Sequence, residues 1–217
     1  MNAGPIAAEP TRPGRNDMTP LAGIDLVLAS TSRYRAELLR RLTAQFRQAA
    51  PDVEETRLPG EAPRALAERL AQAKAEAVAR RHPGALVIGS DQVAALDDRI
   101  LGKPGDAATA CAQLAACSGR RVDFHTALCL IDAREPAALR VHAETDLTTV
   151  QFRVLDATEI ARYVERERPL DCAGSFKSEG LGIALFERIT NDDPSALIGL
   201  PMIALGRLLR RAGVALL

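Results

Sequence analysis

A chain of 217 residues with 47% hydrophobic but only 3% aromatic side chains can bury a substantial core, one built from Ala, Leu and Val in a single domain or two small lobes. Lys plus Arg and Asp plus Glu both number 28, which excludes the broad basic field that holds nucleic acid and leaves any anionic ligand to a local cluster. No stretch approaches the roughly 20 apolar residues of a membrane helix, no apolar signal core opens the chain, and Cys111, Cys117, Cys129 and Cys172 lack both CxxC spacing and the density of a disulfide scaffold; a soluble cytoplasmic protein with reduced thiols is expected.

Residues 1 to about 21 are rich in Pro, Gly, Ala and isolated charges without hydrophobic period. They read as a flexible extension ahead of a folded unit over 22–217. Leu26, Val27 and Leu28 form a buried strand, and Glu37, Leu38, Leu39 and Leu42 the helix after it. Ser30 or Ser32 is the natural N-cap. A helix start carries unpaired N–H groups and partial positive charge, and Arg35 adds a fork of donors, so this junction suits a phosphate. The same residues also suffice for an ordinary cap and a solvent-facing arginine.

A turn-rich acidic stretch, Asp52 to Thr56, precedes a helix from about Arg64 to Arg81, bounded by Pro63 and Pro83 and striped by Leu66, Leu70, Ala73 and Ala77. Ala85 to Gly89 reads as a second buried strand that ends in Ser90-Asp91-Gln92, a place where α/β proteins put chemistry. Gly102-Lys103-Pro104 makes a turn, and Asp106 caps a helix that stops at Ser118-Gly119. Strands follow around Thr126 to Ile131 and Leu139 to Phe152, then a helical pattern from Asp156 to Glu167. Next come a polar loop from Gly174 to Gly182 centred on Lys177 and Glu179, and a last helix from Pro201 to Gly213. Alternating strands and helices give an α/β class, and the two adjacent strands in the middle call for a mixed sheet flanked by helices.

The chemistry-bearing residues suit a polyphosphate. Ser30, Ser32, Arg35, Lys74, Lys103 and Lys177 can neutralise it, while Glu54, Glu55 and Asp91 offer the hard oxygens that Mg²⁺ or Mn²⁺ favours. Asp91 stands out, because a charge directly after an apolar strand must be paired or functional. Lys74 can equally face solvent, and the two glutamates can decorate a loop. No P-loop, GxGxxG or GxSxG is present, and His82, His125 and His142 lie far apart without metal-ligand spacing.

In order along the chain stand Leu-Ala-Ser-Thr-Ser at 28 to 32, Val-Glu-Glu at 53 to 55, Ala-Lys-Ala at 73 to 75, Ile-Gly-Ser-Asp-Gln at 88 to 92 and Gly-Lys-Pro at 102 to 104. Ser-Gly at 118 to 119, Cys-Ala-Gly-Ser-Phe-Lys-Ser-Glu-Gly at 172 to 180 and Ile-Gly-Leu-Pro at 198 to 201 complete the set. This series resembles the Maf nucleotide pyrophosphatases. The resemblance implies a Maf or inosine triphosphatase-like fold, a mixed twisted sheet with two lobes around a nucleotide cleft. It also implies metal-dependent cleavage of a nucleoside triphosphate between its α and β phosphates. By motif, Asp91 is the proton acceptor, and Glu54, Lys74 and Lys103 belong to the catalytic cleft, with Glu54 and Asp91 as metal ligands. Tyr34, Gln92 and Glu179 match the branch that acts on 7-methyl-GTP; the dTTP/UTP branch has Arg, Thr and Gln there. N7-methylguanine is cationic, which suits an aromatic face and a carboxylate. Arg33 departs from the usual proline. The resemblance further suggests a homodimer. The alternatives are the same reaction on dTTP, UTP or another modified nucleotide, and a regulator of septum formation without turnover.

Overall fold

The computed structural model describes residues 21, 23–135 and 137–217. The expected extension over residues 1–20 lies outside them. Leu21, assigned to its end, is instead buried in the core.

The elements run β1 (Leu26–Leu28), α1 (Arg33–Leu39), β2 (Arg47–Gln48), α2 (Pro63–Ala79), β3 (Leu86–Leu96), β4 (Arg99–Leu101), α3 (Ala107–Cys117), β5 (Arg121–Asp132), β6 (Arg140–Phe152), α4 (Ala157–Glu167), β7 (Phe186–Thr190) and α5 (Met202–Arg211). The sheet order is β2-β1-β3-β5-β6-β7, with β4 added beside β3. β1 is parallel to β2 and β3, and the remaining pairs are antiparallel, so the sheet is mixed as expected. Local chemistry accounts for the helix starts: Ser32 caps α1, Asp106 caps α3 through Thr109 N at 2.8 Å, and Asp156 with Glu159 forms a capping box on α4.

Side chains alternate across the sheet with the period of two that strands impose. Leu26, Leu28, Leu86, Ile88, Leu128 and Leu130 pack under α1 and α5, while Val27, Val87, Ala127, Cys129 and Ile131 face α2. A third cluster packs Leu96, Leu101, Phe124 and Phe152 against α3 and α4 at the far end of the same strands. The long strands β3 and β5 therefore serve two helix sets, which makes the two lobes.

The strand bearing Asp91 does not stop there. Val93 to Leu96 continue it, and backbone pairing to β5 from Leu86↔Asp132 to Ala95↔Asp123 holds all of it. Asp91 is thus mid-strand, and the polar triplet that looks like a strand end lies within the strand. On the other edge of β3, β1 covers Leu86 to Ile88 and β4 covers Ala94 to Leu96. Among the described residues no strand covers Gly89 to Val93 on that edge, and the inter-lobe cleft opens there. This uncovered edge lets Asp91 and Gln92, on opposite faces of the strand, line one cavity.

Gly89 determines how closely α2 approaches. A Cβ at this position would stand 2.3 Å from the Ala71 carbonyl oxygen and 2.8 Å from Ala75 Cβ. Backbone cannot yield as a flexible side chain does, so Gly89→Ala is expected to lower stability by roughly 3 kcal/mol in urea unfolding. An unchanged midpoint would show that α2 does not depend on this close approach.

Candidate active site

α2 carries Lys74 on its buried face, one turn from Leu70 and Val78, so the helix stripe that makes the core also drives an ammonium toward β3. Lys74 is 5% exposed and Asp91 7%. Lys74 Nζ lies 2.6 Å from Asp91 Oδ1 and 2.6 Å from Glu55 Oε1. The two carboxylates therefore converge on one buried cation. Burial raises the Asp91 carboxyl above the ordinary aspartate range, with Lys74 and then Arg35 opposing the shift. A carboxylate that holds a proton more readily is a better base, and the positive neighbours favour its ionised form.

The other wall comes from the β1–α1 junction. Ser32 Oγ accepts from Arg35 N at 3.4 Å, as a cap. Arg35 Nε donates to Gly199 O at 2.8 Å and its Nη1 to Ser30 Oγ at 3.4 Å. Ser90 Oγ also lies 3.0 Å from Gly199 O, so one carbonyl joins α1, β3 and the segment before α5. That segment is held by Asp193, whose carboxylate accepts from Ile203 N at 2.6 Å and Ser195 Oγ at 2.6 Å. Burial draws Arg35 down from its usual range, against the pull of Asp91 and Glu55.

The cleft has a volume of 1210 Å³, above the roughly 300–1,000 Å³ of ordinary small-ligand sites. A triphosphate with its base fits that space. Ser30, Ser32, Tyr34, Arg35, Glu55, Lys74, Asp91, Gln92, Lys103 and Glu179 all line it. Lys103 is exposed after β4 and lines the same cleft. Arg33 lies 4.7 Å from the Tyr34 ring centre and its Nη2 donates to the tyrosine hydroxyl at 2.7 Å. Where proline was expected, the chain has a cation already stacked on the aromatic ring. Glu179 follows Phe176, whose ring packs against Phe124 at 5.3 Å, Phe152 at 5.8 Å and Phe186 at 4.7 Å. The aromatic plug ties the Glu179 loop to the far lobe.

Two expected residues lie elsewhere. Glu54 is turned to Thr56, accepting from its backbone N–H at 3.1 Å and from its hydroxyl, and does not line the cleft. Successive residues of an extended segment point oppositely, so Glu55 and not Glu54 meets Lys74. Lys177 Nζ donates to Glu167 O at 2.9 Å at the end of α4, where helix carbonyls lack partners and favour a cation. It supports that helix end instead of the cleft. The cysteines are unpaired and burial pushes the Cys129 and Cys172 thiols up to about 12, which keeps them from acting as nucleophiles. Among the described residues no three His, Cys, Asp or Glu side chains group as a metal cage.

Residues 25–212 match the sequence profile of the family described as Maf-like protein. The chain belongs to the Maf-like family. A 7-methyl-GTP pyrophosphatase of Xanthomonas oryzae pv. oryzae is 60% identical, the alignment covering 87% of this chain and 96% of that protein. Another, from Aromatoleum aromaticum, is 56% identical over 88% of this chain and 97% of its own length. Among solved structures, the Staphylococcus aureus Ham1 protein aligns with a TM-score of 0.47 and 15% identity, covering 87% of this chain and 99% of that one. In this Maf-like protein Asp91, Lys74 and Lys103, which the motifs single out, all line the cleft. Motif and geometry part at the Glu-Glu pair, where adjacency in sequence conceals which residue turns inward.

Lys74→Met leaves Asp91 buried and without its cation. A loss of about 3 kcal/mol is expected above neutrality, the scale for removing one partner of a buried ion pair. The sign against pH follows from Asp91, whose carboxyl rises further without Lys74. As pH falls through that raised value the carboxyl protonates, the burial penalty disappears, and the variant recovers toward wild type. Urea unfolding at pH 5 and pH 8 measures it, and a deficit equal at both would contradict the pairing.

Proposed function

We propose that this protein hydrolyses the α–β phosphoanhydride of 7-methyl-GTP, giving 7-methyl-GMP and pyrophosphate. The observation that carries the reading is the buried Asp91, held by Lys74 beside Glu55 in a nucleotide-sized cleft, in a chain 56–60% identical to proteins that bear that activity as their name.

In this reading Asp91 accepts the proton of the water that attacks the α-phosphorus. Lys74 is occupied by both carboxylates, so its part is to hold Asp91 in place and ionised. Arg35 and Lys103 neutralise the phosphates as charge shifts to the pyrophosphate leaving group. Ser30 and Ser32 line the same wall as Arg35. Tyr34 and Glu179 meet the base, the ring by stacking on cationic methylguanine and the carboxylate by accepting from its N–H groups.

The donor set suits a hard divalent ion. Lys74 takes Asp91 Oδ1 and Glu55 Oε1, and the second oxygen of each carboxylate would hold the ion, since Mg²⁺ or Mn²⁺ is commonly bound by one or two carboxylates plus phosphate oxygens and water. Such an ion would supply positive charge to the phosphates. Among the described residues no helix is long and apolar enough to cross a membrane, and we place the enzyme in the cytoplasm, where nucleotides are made and consumed.

Pyrophosphate release from 7-methyl-GTP, GTP, dTTP, UTP, CTP and ITP, with Mg²⁺ or Mn²⁺ and after chelation, tests the reading. 7-methyl-GTP should lead, and chelation should abolish turnover. Asp91→Asn should lower kcat by about 100- to 10,000-fold, the usual worth of a general base. A different preferred nucleotide would leave the reaction standing and remove the base assignment, whereas release from none of them would remove the enzyme reading.

A further outcome follows from the carboxylates. Glu55→Gln should cost turnover severely while Glu54→Gln stays within about threefold of wild type, since rim side chains outside a site change little; the reverse order would restore Glu54.

A further inference from the structure

Gln92 presents to the cleft whatever its surroundings leave unused. Thr126 stands directly opposite it on β5 and is fully buried. Thr126 Oγ1 has one hydrogen, and it lies 3.0 Å from the Ala196 carbonyl oxygen. With that proton committed, the hydroxyl offers a lone pair to Gln92 Nε2, also at 3.0 Å. Nε2 further lies 2.9 Å from Ala196 O and 3.1 Å from Leu197 O. Backbone carbonyls only accept, so the wall behind Gln92 is one of acceptors. An amide turned the other way would set Oε1 against two carbonyl oxygens, acceptor facing acceptor, and take the donor from Leu197 O. The nitrogen faces the wall, and the oxygen, which accepts no hydrogen bond among the described residues, is turned from it in a side chain that lines the cleft.

We propose that Thr126 is a positioning residue for base specificity, pinning the Gln92 amide so that its carbonyl oxygen is offered to the bound nucleobase. The ligand chemistry this selects is a donor that Glu179 leaves unused, the second hydrogen of a guanine's exocyclic amine. The inference rests on the reading of the protein as a 7-methyl-GTP pyrophosphatase and deepens it. Thr126 does not itself line the cleft and acts through Gln92.

The test compares wild type, Thr126→Val and Thr126→Ser on 7-methyl-GTP and on 7-methyl-ITP, which lacks the exocyclic amine. Valine keeps the branched shape and removes the hydroxyl; serine restores it. Wild type should favour the amine-bearing nucleotide. In Thr126→Val the ratio of kcat/KM values should fall about three- to tenfold, the worth of one hydrogen bond, through KM for 7-methyl-GTP and with kcat little changed, and Thr126→Ser should recover it. Equal losses in both variants, or an unchanged ratio in the valine variant, would overturn the positioning role. So would a wild type indifferent to the amine. Calorimetric binding of 7-methyl-GMP and 7-methyl-IMP reads the same preference without turnover. Inactivity of all three proteins would therefore fail the functional reading while the binding ratio still judged Thr126.

Discussion

The ion pair between Lys74 and Asp91 is the interaction around which this protein is arranged. Both groups are almost wholly buried, and taking two charges from water costs several kcal/mol each unless they are paired and hydrogen-bonded. Hydrophobic residues of the same volume would serve stability as well or better, so the pair is a poor device for folding alone. The pair lines a large cleft, and the proposed chemistry gives it a use: burial raises the Asp91 carboxyl, which strengthens it as a base, while Lys74 opposes the shift.

That pair depends on backbone geometry at one remove. Lys74 reaches Asp91 because α2 lies against β3, where Gly89 offers no Cβ to the Ala71 carbonyl, and because alanines on the helix allow close approach along its length. The cleft itself is a consequence of sheet pairing. β1 and β4 share one edge of β3 and leave a gap between them, so the strand interior is open to ligand at the one place where its side chains become polar. The segment before α5 is tied down by Asp193 and by Gly199 O, which accepts from Arg35.

Much of this was legible along the chain. Apolar period and capping residues located every helix, because caps and stripes are local: Asp106 and Asp156 sit where their side chains reach the next turn. Strands with a continuous apolar run were equally visible. β2, β4 and β7 were not, since Arg47-Gln48 and Arg99-Ile100-Leu101 are too short to show a period and owe their conformation to the strand beside them. The end of β3 was misplaced for a related reason. A polar triplet normally marks a strand end, but pairing with β5 carries the backbone straight through it.

Within the site, residue type and order along the chain were enough to single out Asp91, because a charge on an apolar element cannot be idle, while Lys74 and Lys103 stood out through the motifs that carry them. Which neighbour turns inward was beyond the sequence. Glu54 and Glu55 are chemically identical, and only the course of the backbone into the cleft sends Glu55 to Lys74 and Glu54 to Thr56. Lys177, in a motif that reads as substrate-binding, is drawn to the carbonyls ending α4, and Thr126 gains its part only through the strand opposite. Sequence by itself determined the fold class and the chemical inventory, because those follow from periodicity and side-chain type. Tertiary structure alone decided which side chains share the cleft and which way they face, because burial, register and the uncovered edge of β3 are set by residues far apart in the chain.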